Sequence, residues 1–233
     1  MPPLHRHQLV HLTAHGWLQA QAQAQATDAE ARTCIAHWAA RRLPLVVTRQ
    51  ARCDGPARVD QLAVGLAAPI AWQRRRIALT VARSGVAWFD EFPGLESLLP
   101  QCRGRSREGL RRLCLALSAL KARARVYGSH GWQLVSGLSC VHTRSDIDLW
   151  IAVADAIHAD AVVAVLQSFG HERLPRLDGE LLFPDGRAVA WREWAAWRAG
   201  RCRTILTKTL TGTALMEARG MDVVDAGAAA VPW

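Results

Sequence analysis

Long hydrophobic runs are missing from this 233-residue sequence. Its most apolar stretches, such as Leu113 to Leu120, fall far short of the roughly 20 residues that a bilayer-spanning helix needs. The start, Met1-Pro2-Pro3-Leu4-His5-Arg6-His7, lacks the basic n-region, apolar h-region and cleavage site of an export signal. Paired cysteines are missing too. The six, at 34, 53, 102, 114, 140 and 202, include no C-x-x-C, which excludes zinc-ribbon and dithiol motifs and leaves small buried hydrophobes. A soluble cytoplasmic protein without a membrane partner is expected. Lysine is scarce: only Lys121 and Lys208 stand among 29 basic residues.

What is present is ordinary globular material, half apolar and 21% charged, which excludes global disorder. A net charge of +9 and a pI near 10.2 favour a polyanionic partner, whether nucleic acid, a phosphorylated substrate or an acidic protein. The length allows one large domain or two small ones. Proline, glycine and charge cluster at Phe92-Pro93-Gly94 and from Pro100 to Gly104, placing an N-terminal domain at 1–103 and a second at 104–233.

The first unit reads as short strands and turns, with Leu43 to Val47 and Arg76 to Val81 as its clearest strands. The alternating Gln-Ala run from Gln19 to Ala26 reads as a surface helix or loop, since both residues favour helix. No catalytic motif stands out there. In the second unit Ser106 is placed to cap a helix whose apolar stripe is Leu110, Leu113, Cys114, Leu117 and Leu120. Its other face carries Arg107, Arg111, Arg112 and Lys121, a solvated surface in the plain reading and a docking face for an acidic partner in the sharper one.

Downstream come a short strand ending in Tyr127-Gly128-Ser129, a helix from His130 to Leu138, a strand from Asp146 to Val153 and a helix from Ala156 to Phe169. Strands near Leu177 to Phe183 and Arg187 to Trp191 flank a Pro184-Asp185-Gly186 hairpin turn. The fold class is α+β: a small N-terminal domain followed by a nucleotidyltransferase-like domain, a mixed sheet flanked by helices.

The chemistry concentrates at Asp146-Ile147-Asp148. Residues i and i+2 of a strand leave the same face about 6.7 Å apart, so two carboxylates project together while Ile147 points to the core. Like charges side by side on an apolar strand disfavour folding unless a cation neutralises them, the kind of conflict found at functional sites. Hard carboxylate oxygens suit Mg2+, and two such ions stabilise both oxygens of an in-line phosphoryl displacement. Gly128 and Ser129 complement them: glycine lets backbone N–H groups approach an anion, and the following helix N-terminus favours negative charge.

Together, G-S followed by D-h-D resembles the DNA polymerase beta-like nucleotidyltransferase superfamily. Sixteen residues separate Ser129 from Asp146, more than the superfamily's usual gap. A narrower resemblance accounts for the excess. Gly128-Ser129-x-x-Trp132-Gln133, Ser145-Asp146-Ile147-Asp148-Leu149 and the segment from Asp178-Gly179-Glu180-Leu181 through Trp191-Arg192-Glu193 look like the phosphoribosyl-dephospho-CoA transferases of malonate decarboxylase, its holo-acyl-carrier-protein synthases. His7-x-Leu9-Val10 and Trp38 to Val47 extend the likeness loosely into the first half.

The resemblance implies a transferase that moves the prosthetic group of triphosphoribosyl-dephospho-CoA onto a serine of the acyl-carrier subunit of malonate decarboxylase, releasing pyrophosphate. It implies two Mg2+ ions on Asp146 and Asp148, and Gly128, Ser129 and Gln133 as substrate-binding residues, to which the scarcity of lysine adds Lys208 as a candidate. A third carboxylate, metal ligand or base, is also wanted; Glu180, inside a strand, is preferred to Asp178, with Glu193 third. Lys208 reads equally as a triphosphate contact or a surface lysine. Arg144 and Arg192 are further phosphate candidates; His130 and His142 read as structural or peripheral, and Trp132 and Trp191 as core, with stacking on the substrate's adenine as the alternative.

Two other functions remain open. One is a nucleotidyltransferase using an ordinary nucleoside triphosphate. The other, a non-catalytic nucleic-acid-binding module, leaves the paired aspartates unexplained and has no recognised nucleic-acid motif.

Overall fold

The computed structural model describes residues 4–24, 28–51, 60–169 and 175–217. Cys53 and the end of the Gln-Ala run, Gln25 and Ala26, lie outside them.

The first sheet is antiparallel, ordered β4-β3-β2-β1-β5, from β1 (Leu9–Leu12), β2 (Leu45–Val47), β3 (Gln61–Ala67), β4 (Arg76–Ala82) and β5 (Val86–Asp90). In β4 the apolar residues Ile77, Leu79 and Val81 alternate with exposed or half-buried ones, the period of a half-buried strand. Two helices cover this core, α1 (Ala14–Ala24) and α2 (Ala29–Arg41). Helix α2 does not follow from a reading as strands and turns, and α1 begins ahead of the Gln-Ala run. Asp28 starts α2 by accepting the Ala31 N–H at 2.9 Å, which satisfies one orphan donor of the first turn.

The Gln-Ala run is helical, and it does more than cover a surface. Ala20 and Ala24 are buried, while Gln19 and Gln23, four apart on one face, accept the N–H groups of Ala82 and Thr80 at 3.3 and 2.9 Å. Side-chain amides thus occupy backbone donors of the end strand β4.

The second sheet is ordered β11-β10-β9-β8-β7-β6, from β6 (Ala124–Tyr127), β7 (Ile147–Ala152), β8 (Leu177–Leu182), β9 (Ala188–Ala190), β10 (Thr204–Lys208) and β11 (Thr213–Glu217). Only β7 and β8 pair in parallel. Parallel neighbours need a crossover, here α5 (Ala156–Phe169). With α3 (Gly104–Ala119) and α6 (Trp191–Arg198), α5 packs on the sheet face carrying Ile147, Leu149, Ile151 and Leu181. The fold is α+β, with the mixed sheet expected.

Helix α3 begins at Gly104 after Arg103, so Ser106 lies within the first turn and not at the cap. Its stripe is as read: Leu110, Leu113 and Leu117 are buried, and Arg107 and Arg111 are exposed. Leu95 and Leu98, just after the Pro93-Gly94 break, already belong to the second core. Strand β9 stops at Ala190 and Trp191 opens α6, ending the expected strand one residue early. The turn before β9 closes with Gly186 N–H on Phe183 O at 2.9 Å.

Helix α4 (Gly128–Ser136) faces the first unit: its Trp132 is buried edge-on to Phe92 and Trp38, at 5.4 and 6.3 Å. The open face of the second sheet therefore meets the N-terminal unit. Among the described residues no helix is long and apolar enough to cross a membrane.

Candidate active site

Strand register builds the site. Asp148 lies opposite Tyr127 of β6 and opposite Asp178 of β8, and Trp150 lies opposite Glu180. Partners in register lean to one face, and residues two apart share it. Asp148, Asp178 and Glu180 therefore project from the face that Ile147 and Leu149, each 1% exposed, turn away from. Asp146 stands just before β7.

These carboxylates perturb one another. Burial, then Asp178 and Asp146, push the Asp148 carboxyl up to about 6, because removing water and adding like charge both penalise the ionised form. Arg176 offsets part of this, with Nη2 at 3.0 Å from Asp178 and Nε at 3.7 Å from Asp146. The sequence reading missed it, although it sits two before Asp178 and so on the same side.

Above Asp148 the chain passes from β6 into α4 through Gly128, at φ +60. A side chain there would meet the aspartate, so only glycine allows this approach. The turn leaves the first N–H groups of α4 without intrahelical partners beside the carboxylate face, and Ser129 sits half-buried in that first turn. His130 follows; burial lowers its pKa, which favours the neutral ring.

Glu180 lies one pleat beyond Asp178 and is 7% exposed. Lys208 Nζ donates to its Oε1 at 2.7 Å, and its Oε2 faces His7 Nε2 at 3.5 Å. Burial alone would push this carboxyl up, but His7 and Lys208 outweigh it and hold it at about 2. The His7 ring stacks on Tyr127 at 4.2 Å. Burial and the nearby Glu180 and Asp148 carboxylates push the Tyr127 phenol well above its ordinary range.

Other sequence candidates have other partners. Gln133 Oε1 accepts the N–H groups of Cys140 and Val141, both at 3.1 Å, and so pins the loop leading to Asp146. Glu193 is on α6, where it accepts the Leu206 N–H. Arg192 donates to Leu177 O and lies over Trp191. Arg144 is exposed, its N–H bonded to His142 Nδ1. Trp132 and Trp191 are buried. The described cysteines are free thiols, and burial pushes Cys34 up to about 12.

Asp146, Asp148 and Asp178 form a set of hard oxygen donors suited to a hard divalent cation, whose charge would relieve the strain on Asp148. Among the described residues no three such side chains are already gathered as an ion would need; Asp146 and Asp178 are turned to Arg176. The donor chemistry fits, and the side chains must turn to use it.

The family profile described as "Phosphoribosyl-dephospho-CoA transferase MdcG C-terminal domain" matches residues 94–219, and that of the corresponding N-terminal domain matches residues 5–92. A relative from Xanthomonas campestris pv. campestris, named phosphoribosyl-dephospho-CoA transferase, is 35% identical over 91% of this chain and 93% of its own. One of the same name from Bradyrhizobium diazoefficiens is 33% identical over 82% of each. No solved structure gives a significant match.

Proposed function

The chain belongs to the phosphoribosyl-dephospho-CoA transferase family, and we propose that it moves the phosphoribosyl-dephospho-CoA group of triphosphoribosyl-dephospho-CoA onto a serine of the apo acyl-carrier subunit of malonate decarboxylase. The observation that carries this reading is the strand register that sets Asp178 beside Asp148, two residues after Asp146, with Gly128 of the α4 N-terminus against Asp148. Carboxylates beside the first N–H groups of a helix suit a metal-bound polyphosphate.

The N–H groups of the Gly128-Ser129 turn take the terminal phosphates, with the positive end of α4 behind them. Lys208 supplies a point charge. The serine oxygen bonds to the α-phosphorus, the bond to the bridging oxygen breaks, the hydroxyl proton passes to a carboxylate of the cluster, and pyrophosphate leaves. Asp146 and Asp148 would hold Mg2+, which when bound neutralises charge on the phosphate oxygens. Asp178 is our assignment for the third carboxylate because it alone is in register with Asp148; Glu180, first choice from sequence, is committed to Lys208.

Incubation of the protein with apo carrier, Mg2+ and the triphosphate donor, followed by intact mass of the carrier, tests this. The expected gain is the whole prosthetic group. Transfer of AMP alone from ATP would replace the reading with an ordinary nucleotidyltransferase, and salt-sensitive binding to DNA without turnover would replace it with a binding module.

A further inference from the structure

His7 belongs to the N-terminal unit, yet its ring stacks on Tyr127 and its Nε2 faces Glu180, both of the second sheet. It precedes β1 at φ +67, a left-handed conformation that a histidine adopts only at a cost. Such strain persists where the surroundings impose it, and it gathers at functional sites. The surroundings are explicit. The ring stacks on Tyr127, the residue before Gly128 and the register partner of Asp148. Its neighbour His5 is anchored by a 2.7 Å contact to Glu91 and sits edge-on to Trp150 at 5.1 Å, the register partner of Glu180.

His7 Nε2 and Glu180 Oε2 are both buried without a hydrogen-bond partner, and they face each other at 3.5 Å. Buried polar atoms need partners. Each is the group placed to satisfy the other with a shift of a few tenths of an ångström. Glu180 Oε1 already accepts from Lys208. A carboxylate held by one oxygen can turn about its last torsion, and held by both it cannot.

We propose that His7 is a positioning residue of the transfer site: by engaging Glu180 Oε2 it locks the carboxylate that places Lys208. This rests on the reading above that Lys208 meets the triphosphate. The N-terminal unit then completes a site whose other groups all lie in the second unit. Loss of His7 lets Glu180 turn and Lys208 wander, which weakens binding of the triphosphate donor more than it slows the chemical step.

Two full-length variants separate this role from simple packing. His7→Phe keeps a ring on Tyr127 and removes the N–H; His7→Gln loses the ring and keeps a donor of similar reach. His7→Phe should raise KM for the triphosphate donor about tenfold, with kcat changed less than about threefold, as loss of a charge-assisted hydrogen bond implies. His7→Gln should recover most of that loss. A packing role predicts the reverse order, and normal KM in His7→Phe overturns the proposal.

A second readout does not depend on turnover. Because the chain has only two lysines, 13C-dimethylation gives one side-chain NMR signal for Lys121 and one for Lys208. The Lys208 signal should move in His7→Phe, return toward its place in His7→Gln, and leave that of Lys121 unchanged. An unmoved Lys208 signal overturns the proposal even if the wild type transfers a different group. Failure of the wild type to modify the carrier would instead overturn the functional reading.

Discussion

Gly128 stands so close to Asp148 that no side chain fits between them: a Cβ on the glycine would lie 1.9 Å from Asp148 Oδ2. The same residue holds φ +60, so the position excludes other residues twice, by backbone and by contact. Gly128→Ala should cost about 1–3 kcal/mol of stability and at least about 10²-fold in transfer, because it displaces a group that must be pre-placed. Adding Asp148→Ala should recover part of the stability and none of the activity. Melting losses that simply add in the double variant would contradict the contact.

Asp146→Asn and Asp148→Asn should each lower carrier modification by at least about 10²-fold while the fold survives. Intact-mass assays with and without excess chelator check this, and turnover by the unaltered protein in chelator would remove the metal reading.

The Asp148 carboxyl, held at about 6, gives a pH signature. Its raised value means that the folded chain prefers the protonated form; that stability is fully present below the ordinary carboxylate range and is lost as pH rises through about 6. In chelator, the melting temperature of wild type relative to Asp148→Asn should fall between pH 5 and 7. Magnesium at pH 7 should restore it. A gap that does not change over this range would rule out the carboxylate repulsion.

Asp178 and Glu180 should behave differently. Asp178→Asn should abolish transfer with little loss of stability. Glu180→Gln should cost about 1–3 kcal/mol at pH 7, since it leaves Lys208 without its charge partner. The contribution of Glu180, held at about 2, is present above its ordinary value and lost as pH falls through about 2, so denaturation at pH 3 should show a smaller gap. Retained transfer in Asp178→Asn together with none in Glu180→Gln would make Glu180 the third carboxylate.

Gln133→Ala strips the partner from two backbone N–H groups and should cost about 1–3 kcal/mol. Since its amide oxygen holds the loop before Asp146, kcat should fall while KM for the triphosphate donor stays close to wild type. A rise in KM alone would return Gln133 to direct substrate binding.

Much of the site can be read locally. Alternation along β7 puts Ile147 in the core and Asp148 outside it whatever the strand pairs with, because side chains change face at every residue. The helical stripe of α3 and the small-residue turn at Gly128 are equally local. The Gln-Ala run shows the limit: composition indicates a helix, but its amides meeting the backbone of β4 depend on where the sheet ends.

The sequence by itself determined the paired aspartates, the glycine turn beside them and the kinship they signal, since each depends on residues a few positions apart. The tertiary structure alone decided which acid stands beside Asp148 in the sheet. Strand β8 pairs with β7 in parallel after the α5 crossover, and a slip of one residue would turn every β8 side chain to the other face. That register put Asp178, with Arg176, beside Asp148, and left Glu180 to Lys208 and to a histidine from the far end of the chain. No local pattern encodes those contacts, because they join residues far apart in sequence that only strand pairing in the second sheet and, for His7, the meeting of the two units bring together.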